Sequence, residues 1–251
     1  MLGPITRSVE DAAIMMDVMS NRAHQLDWQI EPSENSNFAV DFEAGIRGLR
    51  VAYSPNLGLA DVDPGIARCV AAAVQMLRDL GAQIEPVAVP QLQNYVESRM
   101  HSVQWIANLH STVSRVDSDK RDLIDSDTLA LARLGEDLPS WMYHAALSAR
   151  EQLGQAMHLF FSDHDLLVCP TFHVGPPATP GVPPHLREAP RFTSWVNQTM
   201  QPAASIPCGF DDEGLPVGLQ IVGRRFSDAL VLRASRTYEK ARGPFPMPAF
   251  P

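Results

Sequence analysis

The sequence has few cysteines, almost no lysine and no long apolar run, and each shortage narrows the possible functions. Cys69, Cys169 and Cys208 are the only cysteines, and they form no CxxC motif and no metal-ligand spacing. Neither a disulfide framework nor a cysteine metal site is therefore expected. So few cysteines, and an odd number of them, indicate a reducing compartment in which thiols act as small core residues. No stretch approaches the about 18–20 apolar residues of a membrane span.

The charge of the chain excludes a further class of partner. The formal net charge is −9 and the sequence pI is about 5.3, whereas nucleic-acid binding needs a basic surface. Residues 1–4 show no basic region leading into an apolar core, so no signal peptide is expected. We therefore expect a soluble cytoplasmic protein with neither a nucleic-acid nor a membrane partner.

Length and pattern predict an α/β fold. The 251 residues are 45% hydrophobic and 20% charged, enough for a sizeable core in one large domain or two small ones. Residues 49–53 and 83–89 each form a β-rich run. The helix predicted between them is capped by Asp63 and ended by Gly81, and its inner face carries Ile66, Val70, Val74 and Leu77. This order predicts a β-α-β unit of a parallel sheet.

The remaining segments alternate between helices and loops. Helical periodicity is expected from Ser8, over 91–114, over 140–162, over 192–199 and from Ser227 or Asp228 onward. The inner face of the first helix is predicted to hold Val9, Ala12, Ala13, Met16 and Met19. Loops are expected over 21–48 and over the proline-rich residues 175–190, which are predicted to form a rigid rim or lid.

The stretch from Trp195 to Gly223 predicts a β-hairpin. The small apolar residues 203–208 are expected to lie deep in the sheet, and an acidic turn follows in which Gly214 takes a positive φ. Residues 217–223 return as a strand with glycines where another backbone or a ligand must come close.

The acidic stretch 117–127 has the spacing of a calcium loop but not its key residues. Asp122 stands where glycine is needed, and Thr128 stands where a bidentate glutamate is needed. A solvated acidic loop is therefore predicted.

Four blocks of the sequence resemble the amidase signature family. They are Gly3-Pro4-x-x-Arg7-Ser8-Val9-x-Asp11-Ala12-Ala13, Asp165-Leu-Leu-Val-Cys169-Pro170-Thr171, Asn197-x-Thr199-x-x-Pro202-Ala-x-Ser205-x-Pro207-x-Gly209-Phe210, and Gly214-Leu215-Pro216-Val217-Gly218-Leu219-Gln220. The resemblance implies the C-terminal part of the amidase signature fold, with a mixed β-sheet flanked by helices. It further implies a partial domain over 1–243. The prolines of residues 244–251 predict a non-helical C-terminal tail after it.

The resemblance implies hydrolysis of a carbon–nitrogen amide bond without metal or organic cofactor. Enzymes of this family use a serine nucleophile, a second serine on a cis peptide and a lysine base, all in segments ahead of the block at residues 3–7. This sequence contains no Gly-Gly-Ser-Ser and no Gly-x-Ser-x-Gly. Lys120 lies among aspartates and Lys240 follows Glu239, whereas a lysine base must be desolvated. No catalytic residue is therefore predicted.

Two interpretations of this incomplete resemblance stay open. The chain is either one part of an amidase or amidotransferase subunit, with the catalytic half supplied elsewhere, or a non-catalytic binding or regulatory module. By itself it is expected to be inactive, and it takes a small amide substrate only if the catalytic half is supplied. Removing half of the family fold is expected to expose an apolar face, so the isolated chain is predicted to aggregate, to pair with itself or to bind a partner.

The resemblance implies three substrate-binding residues, Thr171, Trp195 and Asn197, around the acyl or leaving-group pocket. For Trp195 and Asn197, packing and a helix-end hydrogen bond are the alternative. The pocket shape, and with it the substrate, stays open because Met200 and Gln201 replace the Gly-Leu that the family usually has there.

Two other groups of residues each allow a functional and a structural interpretation. Cys169 with His173 is either a nucleophilic dyad or, as predicted, an inert core thiol beside a histidine. Residues 163–165, Asp-His-Asp, are predicted to form a helix-to-strand turn and not a metal site.

Overall fold

A computed structural model describes residues 3–20, 37–176 and 191–246. Most of the predicted loop 175–190, the first part of loop 21–48 (residues 21–36) and the end of the tail 244–251 lie outside these residues. The elements in chain order are α1 Val9–Ser20, β1 Arg50–Tyr53, α2 Pro64–Asp79, β2 Gln83–Pro86, α3 Pro90–Glu97, α4 Met100–Ser114, a 3-10 helix Ser118–Leu123, α5 Ser126–Arg133, α6 Ser140–Asp163, β3 Leu166–Pro170, α7 Arg191–Thr199, β4 Ala203–Phe210, β5 Pro216–Gly223 and α8 Asp228–Arg242.

The five strands form one mixed sheet in the order β2-β1-β3-β5-β4. Strands β2, β1 and β3 run parallel, while β5 runs antiparallel to both β3 and β4. All five residues of β3 are buried at the centre of the sheet. The predicted α/β class and mixed sheet are therefore confirmed.

The β-α-β unit forms as its sequence predicts. The Asp63 carboxylate accepts hydrogen bonds from the backbone N–H groups of Gly65 and Ile66, so it caps α2. All four residues of the predicted inner face of α2 are buried. Gly81 takes a φ of +94°, which stops the helix and turns the chain into β2.

The sheet has an apolar core on each face. One core packs α1, α2 and α8 against residues such as Val168 and Ile221. The other packs α3, α6 and α7 against Leu167, Cys169 and Val222. Successive residues of β3 and β5 therefore alternate between the two cores, as a strand covered on both faces requires.

The prediction that residues 203–208, which form most of strand β4, lie deep in the sheet is wrong. Strand β4 is an edge strand, and only Ile206 of its eight residues is buried. Ala203, Ser205 and Pro207 alternate along it as exposed residues. Small apolar residues fit a pleated surface equally well at an edge, so the local pattern does not show whether another strand lies beyond.

The prediction that the acidic stretch 117–127 forms a loop is wrong in part. The stretch is exposed, as expected, but it folds into the 3-10 helix and the start of α5. The Asp125 carboxylate accepts from the N–H groups of Asp127 and Thr128 at 3.0 Å each. Aspartate favours helix N-caps as much as turns, so the residues that predict a loop here begin a helix.

Helix α1 begins as predicted but buries fewer residues. The Ser8 hydroxyl accepts from the Asp11 N–H at 3.1 Å and caps the helix. Val9 and Ala13 are buried, Ala12 and Met16 are half-buried, and Met19 is exposed.

Within the described ranges, no helix combines the length and apolar character that crossing a membrane requires.

Candidate functional site

Thr171 joins three strands at the carboxyl end of β3. Its backbone N–H donates to the Gly218 carbonyl of β5 at 3.0 Å. Its hydroxyl lies 2.7 Å from the Ser205 hydroxyl of β4, and the two share a hydrogen bond. The Thr171–Ser205 pair therefore crosses over β5 and presents two hydroxyl groups on one face of the hairpin.

Gly218 makes this crossing possible. A Cβ atom at this position would lie 2.6 Å from the Ser205 Oγ and 2.7 Å from the Thr171 Oγ1. No side chain fits there without separating the two hydroxyls. The glycine expected to allow a close approach thus does so, and the groups that approach are these two side chains.

A shallow cleft of about 260 Å³ opens beside the hydroxyl pair. It is lined by Thr171, Phe172, Ser205, Pro207, Pro216, Val217 and Gly218. Ligand pockets usually enclose about 300–1,000 Å³, so this cleft is small, and the exposed residues of β4 form one of its sides. Its polar groups can bind and orient a ligand by hydrogen bonds, but none of the seven residues that the structure describes along it is an acid or a base.

Trp195 and Asn197 lie outside the lining of this cleft. Trp195 is fully buried in the second core, and its Nε1–H donates to the Phe192 carbonyl one turn earlier in α7 at 3.1 Å. Asn197 is exposed, two residues further along the same helix. Of the three residues that the resemblance implies, the structure brings only Thr171 to the cleft.

Gln220 fixes α7 to the sheet, a role that the sequence alone did not predict. Its buried side-chain amide donates to the Phe192 carbonyl at 2.9 Å and to the Cys169 sulfur at 3.1 Å. The amide therefore connects β5 to both α7 and β3. A glutamine in an apolar strand is the signal that could have identified it, because a buried amide needs specific partners.

Cys169 is the inert core thiol that the sequence predicts. Its side chain is completely buried in β3, and burial raises the pKa of the thiol to about 12. A thiol with that pKa stays protonated at neutral pH and is a poor nucleophile. His173 stacks on the Phe192 ring with centroids 5.4 Å apart. These observations argue against a Cys169–His173 dyad.

The Asp-His-Asp sequence at 163–165 forms the predicted turn from α6 to β3. The His164 Nε2 lies 2.8 Å from a Glu85 carboxylate oxygen. Asp165 accepts from the Arg50 guanidinium at 3.0 Å and from the Arg50 N–H at 2.8 Å. These Arg50 hydrogen bonds, opposed by partial burial, lower the pKa of the Asp165 carboxyl. Among residues 3–20, 37–176 and 191–246, no three His, Cys, Asp or Glu side chains converge to hold a metal ion.

Both lysines are held in surface ion pairs. The Lys120 Nζ lies 2.6 Å from Asp117, and the Lys240 Nζ lies 2.5 Å from Glu43. The hydrogen bond from Lys240 is the main cause that lowers the pKa of the Glu43 carboxyl. Both lysine side chains are exposed in these pairs, whereas a lysine that acts as a base has to be desolvated, so neither has the surroundings of a catalytic base.

The sequence matches the family model described as amidase over residues 1–232. The chain belongs to the amidase signature family. It is 35% identical to the acylamidase of Rhodococcus erythropolis over 250 residues, which are 96% of this chain and 52% of that protein. It is 27% identical to one subunit of the glutamyl-tRNA(Gln) amidotransferase of Thermotoga maritima, over 98% of this chain and 57% of that protein.

Solved structures of amidase signature enzymes share the fold. A bacterial aryl acylamidase of this family superimposes with a TM-score of 0.76 and 25% identity, over 95% of this chain and 52% of that one. The chain thus spans about half the length of the amidase relatives that it matches.

The hydrogen bond between Thr171 and Ser205 is open to a direct test. Thr171→Val and Ser205→Ala are each expected to lower the free energy of unfolding by about 0.5–1.5 kcal/mol, the net value of a typical hydrogen bond. Because the two hydroxyls serve each other, the double variant should lose less than the sum of the single losses. Urea unfolding of all four proteins gives the coupling energy, and additive losses would show that the hydroxyls do not interact.

Proposed function

We propose that this chain is the non-catalytic half of an amidase that hydrolyses a carbon–nitrogen amide bond, and that the 251 residues alone do not turn over amides. The catalytic serines and lysine would come from polypeptide outside these residues. The coverage of the relatives carries this proposal: the chain aligns along 96% of itself with an acylamidase, but with only 52% of that enzyme.

The residues present support the division of roles. Lys120 and Lys240 are paired at the surface, and the candidate nucleophile Cys169 is held as a buried thiol of high pKa. In contrast, the cleft beside Thr171 offers hydroxyl groups for orientation, and exposed residues of β4 form one of its sides. A half that shapes a substrate pocket without carrying its chemistry would have these properties.

Within that enzyme we assign substrate contact to Thr171 and, with it, to Ser205. Trp195 would support the site indirectly, because its buried indole packs α7 against the sheet. Asn197 would contact the substrate or the catalytic half, because it lies on the exposed side of α7. The greater identity to the acylamidase than to the amidotransferase protein favours a small amide as substrate. Three free cysteines agree with a cytoplasmic location.

Reconstitution tests the proposal. The chain is co-expressed with the part of the R. erythropolis acylamidase that its alignment leaves uncovered, and hydrolysis of a chromogenic anilide is measured. The two halves of the acylamidase itself, split at the same place, are the positive control. We expect no turnover by either half alone and measurable turnover by the pair.

Serine labelling with a fluorophosphonate locates the nucleophile in the same samples. We expect the label on the acylamidase half and none on this chain. Stoichiometric labelling of a serine in these 251 residues, or amide turnover by the chain alone, would show that it carries its own chemistry. If only the control pair reconstitutes, the non-catalytic module is the better description.

A further inference from the structure

Helix α1 has apolar side chains on two opposite sides, and the residues that the structure describes cover only one of them. On the inner side, Val9 and Ala13 are buried in the first core. On the outer side lie Ile14, Met15, Val18 and Met19, with exposed fractions of 56%, 42%, 59% and 49%. We name these four residues the outer stripe.

The outer stripe is continuous along the helix. Residues 14 and 18, and residues 15 and 19, are each four positions apart, so each pair lies on adjacent turns of one side. Asp11, one turn earlier on that side, is engaged by the Ser8 hydroxyl at 2.7 Å. Glu10, Asp11 and Asp17 interrupt the circumference of the helix, but a second apolar side is more than the single core-facing stripe of an ordinary surface helix. The outer stripe therefore indicates a contact that these described residues do not themselves supply.

The helix that carries the stripe is fixed in place. The Val9 N–H donates to the Glu239 carboxylate of α8 at 2.9 Å. Arg236 of α8 bonds Glu239 at 2.9 Å and reaches Glu10 of α1 at 3.5 Å. Since α8 packs on β4 and β5, the outer stripe is held at a fixed position relative to the hairpin. A partner would meet a preformed surface.

We propose that the outer stripe of α1 is the docking surface for the polypeptide that supplies the catalytic residues, an inference that rests on the proposed function. Relatives are about twice as long as the matched region, so a second body of similar size lies beside this half in them. The block that resembles the family at residues 3–13 runs directly into α1. The helix is therefore the first regular element next to the segments that the resemblance places ahead of this block.

Charge favours this occupant over a second copy of the chain. The formal net charge of −9 makes two copies repel each other at low salt. The outer stripe contains no charged residue, so nothing on it compensates for that repulsion. An apolar surface on the catalytic half would exclude water from the four side chains of the stripe.

A paired substitution tests the docking surface. Ile14→Glu with Val18→Glu places two carboxylates in the middle of the stripe. Because both side chains are exposed in this chain, the variant should keep its fold, measured by circular dichroism and urea unfolding. Its affinity for the tagged catalytic half of the R. erythropolis acylamidase should fall by about tenfold or more, since two carboxylates would be buried without partners.

The matched control is Leu123→Glu with Leu134→Glu. These leucines are 86% and 61% exposed and lie near the acidic stretch, so this variant should bind like the wild-type chain. Equal loss in both variants, or no loss in the α1 variant while the wild-type pair binds and turns over amide, would overturn the docking surface alone. Absence of any complex with the wild-type chain would overturn the proposed function as well.

Sedimentation tests whether a second copy of the chain covers the outer stripe instead. The docking proposal is wrong if the wild-type chain dimerises while the α1 variant is monomeric and binds the catalytic half with unchanged affinity. If the α1 variant loses the catalytic half and self-association together, the proposal holds, because a stripe left uncovered also associates with itself.

Discussion

Trp195→Ala is expected to lower the free energy of unfolding by about 3–5 kcal/mol, the usual cost of truncating a large buried aromatic side chain. The indole is fully buried in the core between α7 and the sheet. Removing it leaves a cavity and eliminates the hydrogen bond from Nε1 to Phe192. Urea unfolding followed by circular dichroism measures the loss directly.

Asn197→Ala is the matched control for Trp195. The two residues share one short helix, but Asn197 is exposed, and exposed substitutions usually change stability by less than about 0.5 kcal/mol. A direct substrate role predicts the opposite pattern for Trp195, with stability kept and the KM of the reconstituted enzyme raised. That outcome would contradict the supporting role assigned to the indole.

Elements whose signals are local could be predicted from the sequence. Asp63 and Gly81 bound α2 because capping and a positive φ depend on the residue itself and its near neighbours. Gly214 takes a φ of +79° in the hairpin turn for the same reason. The hairpin and the β-α-β unit follow from such signals combined with hydrophobic periodicity.

Features that depend on distant residues could not be predicted this way. Whether β4 is an inner or an edge strand depends on which strand lies beside it. Met19 fits the inner face of α1 by its spacing, yet it is exposed, because Val9 and Ala13 turn the helix toward α8. The pairing of Thr171 with Ser205 joins residues 34 positions apart. Periodicity identifies an apolar face, but it does not identify what covers that face.

The candidate site also combines features that depend on local sequence with features that depend on distant residues. Thr171 is predictable because it lies in a block that resembles the family. Ser205 lies in such a block as well, but its role follows only from the strand register that sets it opposite Gln220 and beside Gly218. The role of Gln220 is not predictable, because its two acceptors, Phe192 and Cys169, belong to other elements.

Gln220→Glu is expected to be the second most destabilising of these substitutions, by about 3 kcal/mol at neutral pH. It keeps the size of the side chain but replaces the donor NH2 group with an acceptor and adds a charge in a buried site, 3% exposed. The new carboxylate would face the Phe192 carbonyl and the Cys169 sulfur, both hydrogen-bond acceptors from Gln220. An unpaired buried charge of this kind costs several kcal/mol or takes up a proton.

The pH dependence of this variant identifies the cause. Burial raises the pKa of such a carboxyl above its value in the unfolded chain, so its protonated form is the one compatible with folding. The destabilisation relative to wild type should therefore be small near pH 4 and grow as the pH rises through the folded pKa.

Gln220→Met, which loses the hydrogen bonds without adding charge, should cost about 1–2 kcal/mol at every pH. Gln155→Glu, on the exposed side of α6, should change stability by less than about 0.5 kcal/mol. If the loss of unfolding free energy in Gln220→Glu does not depend on pH, residue 220 does not lie in a site that excludes water. The interpretation that the Gln220 amide fixes α7 to the sheet would then be wrong.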